Sequence, residues 1–350
     1  MSAKIFHIPF ITLASGLKLH SIVQRTPRQG SSAPDDHPAV RHYTTVEDLL
    51  ADPEVDLVVI TTPPNSHFEL ASQILKSHKN VLVEKPFVPT SQQADELLKV
   101  ADENSRVICV YQNRRWDADF LTVKSLVEED KLGRIVEFET HFDRYRPEKS
   151  SSWKSQLGLE QGGGAIFDLG VHLIDQVYAL FGMPSTVYGK LVNQREGKFN
   201  IEDSDGVNAM LCYNGTGMVA HVRIGVLSVE QPQPRFWIRG SRGTYRKLGL
   251  DPQEDQLKAG IKANEPNFGI EDARLTGSLS RVSDIGEVEV SPYPTVAAPT
   301  YLELYRRLAQ ALESQKQEDI PVSAQEAKNV LVIIEAIQES ARTGREISLP

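Results

Sequence analysis

Leu57-Val-Val-Ile-Thr61 is an unbroken apolar run, and it feeds the polar, proline-stiffened turn Thr61-Thr-Pro-Pro-Asn-Ser-His67. A leucine followed by three β-branched side chains, with no polar alternation, describes a strand covered on both faces. That is the pattern of a parallel sheet sandwiched between helices. Working outward, the same rhythm recurs. Residues 17–23, 80–83 and 107–111 read as further strands, and residues 5–13, 46–52, 67–77 and 91–104 as helices. This alternation predicts a Rossmann-like, doubly wound parallel sheet over residues 1–118.

Beyond residue 120 the rhythm changes. A helix at 119–128 precedes a long strand at 134–144, then a glycine-rich turn and another helix. Strands follow at 186–194, 206–213, 217–227, 235–239 and 243–248 with short connections, which predicts an open, mostly antiparallel sheet. Two helices close the chain, the last opened by the capping box Ser323-Ala-Gln-Glu326. The expectation is an α+β domain over residues 119–350 whose final helices pack back on the first domain. A length of 350 residues suits two such units.

Lys and Arg number 38 against 47 Asp and Glu, a net charge of −9. Nucleic acid and anionic membrane surfaces are therefore poor partners. No run approaches the roughly 18 apolar residues of a membrane span, and no secretory leader is visible. Cys109 and Cys212 form neither a disulfide framework nor a metal-binding spacing, so the expected setting is the reducing cytoplasm, with no metal.

Four stretches carry chemistry. In Val81-Leu-Val-Glu-Lys-Pro-Phe87, Glu84 and Lys85 fall at the carboxyl edge of the sheet, where ligands bind, and the following proline restricts Lys85. The alternative is a solvated lysine at a strand end. In Gly162-Gly-Gly-Ala-Ile-Phe-Asp-Leu-Gly-Val-His-Leu-Ile-Asp175, the residues Asp168, His172 and Asp175 share a helical face amid apolar neighbours. An acid beside an imidazole suits proton transfer near neutrality, and the glycines admit a ligand close to the backbone; the alternative is a wet helix face. Tyr111-Gln-Asn-Arg-Arg-Trp-Asp117 offers Arg115 for a polyhydroxylated or anionic ligand, or for ion pairs between domains. The turn Thr61, Thr62, Pro63, Asn65, His67 lies where a nucleotide ribose or nicotinamide would sit, or is an ordinary turn with Ser66 capping the next helix.

Taken in order, TTPPNSH, VEKPF, YQNRRWD, HFDRYRP and GGGAIFDLGVHLIDQ resemble the glucose–fructose oxidoreductase/inositol dehydrogenase (Gfo/Idh/MocA) family, in particular its NADP-dependent scyllo-inositol dehydrogenase type. The resemblance runs from about residue 2 to the C-terminus. It implies reversible hydride transfer between a nicotinamide and a sugar, cyclic polyol or related carbonyl compound. On the matching positions it makes His172 the acid/base, Lys85 the group that polarises the reacting oxygen and Asp168 the anchor, with Asp175 in support. It further implies substrate contacts from Arg115, Tyr145, Arg146 and Trp153, and a homodimer or homotetramer through the open sheet. An acid normally ends the second strand to hold the ribose of NAD. Here Val23-Gln-Arg-Thr26 has none, while Arg25, Thr26 and nearby Arg28 suit a 2′-phosphate, so NADP is favoured over NAD.

In that family a strand and glycine loop precede the segment similar to Ala3–Phe10. The strand-plus-loop length places about ten residues ahead of Met1. A late start leaves an ordinary dehydrogenase. A truly short chain would instead point to a non-redox isomerase, dehydratase or cyclase, or to a ligand-sensing protein.

Overall fold

The computed structural model describes residues 2–27, 30–149, 156–283, 285–297, 299–314 and 316–350. The first third builds two parallel sheets. Strands β1 (Ser21–Val23) and β2 (Arg41–Tyr43) form one, and β3 (Leu57–Ile60), β4 (Asn80–Glu84) and β5 (Ile108–Tyr111) form the other. Val81, Leu82 and Val83 are wholly buried, as two helix layers require. β3 differs from expectation: Ile60 is buried, but Leu57, Val58 and Val59 are only half-covered. Among the described residues β3 pairs on one side only, which leaves it less covered than β4.

Helix Ala3–Leu13 starts with a π-turn, and its Phe10 stacks at 5.9 Å on Tyr305 of helix Leu302–Ser314. Helix His67–Lys76 follows β3 and helix Ser91–Glu103 follows β4. Thr45 and Thr90 cap their helices by accepting from Asp48 N and Gln93 N.

The second half is a nine-stranded sheet in the order β13-β12-β11-β10-β6-β9-β8-β7-β14. Its strands are β6 (Ile135–Asp143), β7 (Thr186–Val192), β8 (Gly206–Tyr213), β9 (Met218–Gly225), β10 (Pro234–Gly240), β11 (Gly243–Leu248), β12 (Gly277–Val282), β13 (Val288–Tyr293) and β14 (Ile347–Ser348). All pairs are antiparallel except β6 with β9. One face packs on the helical run Leu159–Phe181; the other stays open, with Val136, Met210 and Trp237 among its exposed side chains. That run has the length and apolar composition of a membrane span, which corrects the sequence expectation. Its Ile166, Phe167, Leu173, Ile174 and Val177 are nonetheless spent in the protein core.

Helix Ala324–Thr343 crosses back to the first sheet. The capping box forms, Val110 N donates to Val322 O at 3.1 Å, and Glu335 accepts from both Ser91 N and Ser91 Oγ. The same helix meets β7 so closely that a Cβ on Gly189 would lie 2.7 Å from Ile337 Cγ2. Both cysteines are free thiols, and burial pushes Cys109 up to about 12.

Candidate active site

β4 ends at Glu84, and the backbone turns through a cis Lys85–Pro86 peptide. Glu84 faces inward. Its carboxylate accepts from the Ser2 hydroxyl, from His7 Nε2 at 2.9 Å and from Lys85 N at 3.0 Å. Burial alone would push this carboxyl up; His7, Ser2 and Lys85 outweigh it and hold the group at about 2. His7 is itself buried, its Nδ1 2.7 Å from the Tyr305 hydroxyl. The bonds on Glu84 therefore fix the backbone from which Lys85 projects.

The ammonium of Lys85 crosses to the second domain. It donates to the Asp168 carbonyl at 2.6 Å and lies 3.6 Å from Asp168 Oδ1. Asp168 occupies a π-turn, Ile166–Gly170, which passes into helix Val171–Phe181. Its side chain is about one-third exposed, whereas His172, one turn on, is nearly buried. The structure thus brings a lysine from the parallel sheet onto the helix that carries an acid and an imidazole.

The glycines ahead of that helix serve the protein more than a ligand. Gly162 has φ +77°, and a Cβ there would lie 3.1 Å from Pro64 Cβ and 3.4 Å from Pro86 Cγ. The run therefore lets the second domain close on the turns after β3 and β4. His67 belongs to the same joint. It is wholly buried, with Nδ1 3.0 Å from the Pro86 carbonyl and Nε2 2.9 Å from that of Thr62. It clamps two loops, which corrects its reading as a residue that touches a nucleotide. Ser66 does not cap by its side chain; its Oγ bonds Pro63 O and the Thr62 hydroxyl.

Arg115 is placed as the ion-pair alternative describes. Its guanidinium holds Asp175 through Nε and Nη2, both at 2.8 Å, and Glu326 through Nη1 at 2.8 Å. Burial pushes the Asp175 carboxyl up, and Arg115 opposes it. Asp175 is thus separated in role from Asp168 and His172. Tyr145 and Arg146 are exposed just past β6, Arg28 and Trp153 lie outside the described residues, and Arg25 and Thr26 are exposed beyond β1. Sequence reading missed Arg144, whose Nη2 lies 3.8 Å from Asp168 Oδ2; its place at the end of the alternating strand β6 was the available signal.

The donor chemistry fits a nicotinamide nucleotide. The carboxyl edges of β1 and β3 present exposed Arg25, Thr26, Thr62, Pro63 and Asn65, and Lys85 follows β4. Two open cavities of about 490 and 500 Å³ lie elsewhere; none of Lys85, Asp168 and His172 lines either.

Known proteins share this architecture. Residues 2–112 match the family model described as "Oxidoreductase family, NAD-binding Rossmann fold", and residues 124–349 match "Oxidoreductase family, C-terminal alpha/beta domain". An uncharacterized oxidoreductase of Schizosaccharomyces pombe is 38% identical over 100% of this chain and 97% of its own. The scyllo-inositol 2-dehydrogenase (NADP(+)) of Bacillus subtilis is 33% identical over 100% of this chain and 93% of its own. The crystal structure of a Yersinia pestis oxidoreductase superposes with a TM-score of 0.89 at 35% identity, covering 100% of this chain and 94% of that one. The chain belongs to the Gfo/Idh/MocA family and is an NAD(P)-dependent oxidoreductase.

Proposed function

We propose that this protein is an NADP-preferring dehydrogenase or reductase that interconverts a secondary alcohol and a ketone on a sugar or cyclic polyol. The observation that carries the reading is the Lys85 ammonium, 2.6 Å from the Asp168 carbonyl, on the helix that also bears His172. Nicotinamide, when bound, supplies the hydride acceptor or donor. Thr62 and Asn65 would hold it at the end of β3, and Arg25 would take a 2′-phosphate where no acid ends β1.

In the oxidative direction His172 takes the hydroxyl proton as the carbinol carbon loses its hydride. Lys85 stabilises the alkoxide character of that oxygen. Asp168 fixes the ammonium through its backbone carbonyl and its carboxylate. The Bacillus relative named for scyllo-inositol and NADP(+) supports this substrate and coenzyme class. The open sheet face around Trp237 is the surface for association into a homodimer or homotetramer, testable by light scattering.

Fluorescence titration should show NADPH binding more tightly than NADH. A His172→Ala change should lower the rate by roughly 10²–10⁴ in a polyol and ketone panel while leaving coenzyme affinity unchanged. A folded protein that binds neither coenzyme would end this reading.

A further inference from the structure

Arg144, half-buried, stands apart from three arginines packed deeper in the protein. Arg114, Arg115 and Arg235 each meet a carboxylate, at 3.1, 2.8 and 2.7 Å respectively. The nearest acid to Arg144 is Asp168, at 3.8 Å, longer than a hydrogen bond, and Asp168 is already engaged with Lys85. Arg144 Nε is buried and meets no hydrogen-bond partner among the described residues; Arg106 Nε and Arg114 Nε share that state, but Arg114 pairs its Nη1 with Asp117 at 3.1 Å, whereas among the described residues no carboxylate comes within hydrogen-bond distance of Arg144. Burying such a donor unmatched is costly, so its retention needs a reason. Burial, and next the charge of Arg146, push the Arg144 pKa below the usual value, with Arg195 adding to them and Asp168 and Glu254 opposing.

The arginine is also held in place. Arg144 N donates to Gly225 O at 3.0 Å, and Arg146 N donates to Val226 O at 2.7 Å. Arg195 donates from Nε and Nη2 to the Arg146 carbonyl at 2.9 and 2.8 Å, while its Nη1 is taken by Asp205. Lys85 and Arg144 then both face Asp168, with Arg146 beside them and Glu254, the other acid acting on Arg144, already paired with Arg114, in a chain whose net charge is −9. The two cavities and the His20–Asp52–Glu54 cluster offer nothing comparable, since Arg41 already occupies that cluster at 3.0 Å from Asp52 and 2.7 Å from Glu54.

We propose that Arg144, flanked by Arg146, is an anion subsite beside the reacting centre, and that the substrate is a sugar or polyol derivative bearing a carboxylate or a phosphate. This rests on the dehydrogenase reading for its substrate class. A planar guanidinium with unspent N–H groups matches either oxyanion, and Lys85 keeps its place on the reacting oxygen.

The test is calorimetric titration of the full chain at low ionic strength with glucose, glucuronate and glucose 6-phosphate. At least one anion should bind about tenfold tighter than glucose or better, as charge-assisted hydrogen bonds imply. Which anion wins separates carboxylate from phosphate. Arg144→Met should erase the difference, Arg146→Met should reduce it, and added salt should weaken it. No preference for either anion, or a preference that both variants retain, overturns the subsite. Anion binding without hydride transfer to NADP or NAD leaves the subsite standing and removes the dehydrogenase reading. Oxidation of glucose with no preference for either anion does the reverse.

Discussion

Arg115 and Arg144 are both arginines beside the Asp168–Asp175 helix, yet they do opposite things. Arg115 spends three nitrogens on two carboxylates from two different helices; burial would lower its pKa, but Asp175 and Glu326 outweigh it and leave the pKa raised. Arg144 reaches its one acid only at 3.8 Å, and its pKa is lowered. A guanidinium whose partners are complete is architecture; one held rigidly with partners missing is available to a ligand. Residue type and distance from the site do not separate the two, but the count of satisfied donors does.

The largest expected effect breaks this comparison directly. Arg115→Met leaves Asp175 buried without its cation and should cost about 3–5 kcal/mol in stability. Arg144→Met loses only a long, partly exposed contact, and should cost less than about 1 kcal/mol. Urea unfolding of both variants near neutral pH reads the difference. Equal losses would mean that Arg144 is as structural as Arg115, and the anion subsite would lose its rationale.

His7→Ala sharpens the contrast at a second place, where a buried acid is fully served. It removes one hydrogen bond from Glu84 and one from Tyr305, a loss of about 1–3 kcal/mol. A carboxyl held at about 2, below its unfolded value, contributes stability that is present above the unfolded pKa and lost as pH falls through the folded one. Without His7, burial raises the folded pKa, so acid unfolding between about pH 5 and 2 should begin at a higher pH. An unmoved acid midpoint would show that Ser2 and Lys85 N suffice.

Much of this was legible from residues alone. β8 and β11 fall where their period and turns placed them, because each alternates cleanly between core and solvent. The helix bearing Asp168 and His172, and the lysine facing it, were marked by motif. The β12–β13 hairpin was not seen. Val288, Glu289, Val290, Ser291 and Pro292 of β13 are all exposed, so no alternation of burial marks them as a strand. The parallel β6–β9 pair was hidden because strands far apart in sequence make it. Within the site, side-chain type could nominate His67 and Arg115, but only packing shows that their polar atoms are already engaged.

The smallest effect tests whether the glycine run is a hinge surface between domains. Gly158 and Gly162 lie four residues apart with different constraints. A Cβ on Gly158 meets nothing within 4 Å, and its φ of −72° suits any residue. Gly162 sits at φ +77° with Pro64 and Pro86 in front of it. Gly158→Ala should therefore change stability by no more than about 0.5 kcal/mol. Gly162→Ala should cost about 1 kcal/mol from its backbone alone. Because the added methyl crowds Pro64 in the turn after β3, which His67 ties to the turn after β4, kcat should fall in Gly162→Ala and hold in Gly158→Ala. If both alanines leave kcat intact, the Lys85–Asp168 contact does not depend on this close approach, and the clamp of His67 on Thr62 and Pro86 must set the separation instead.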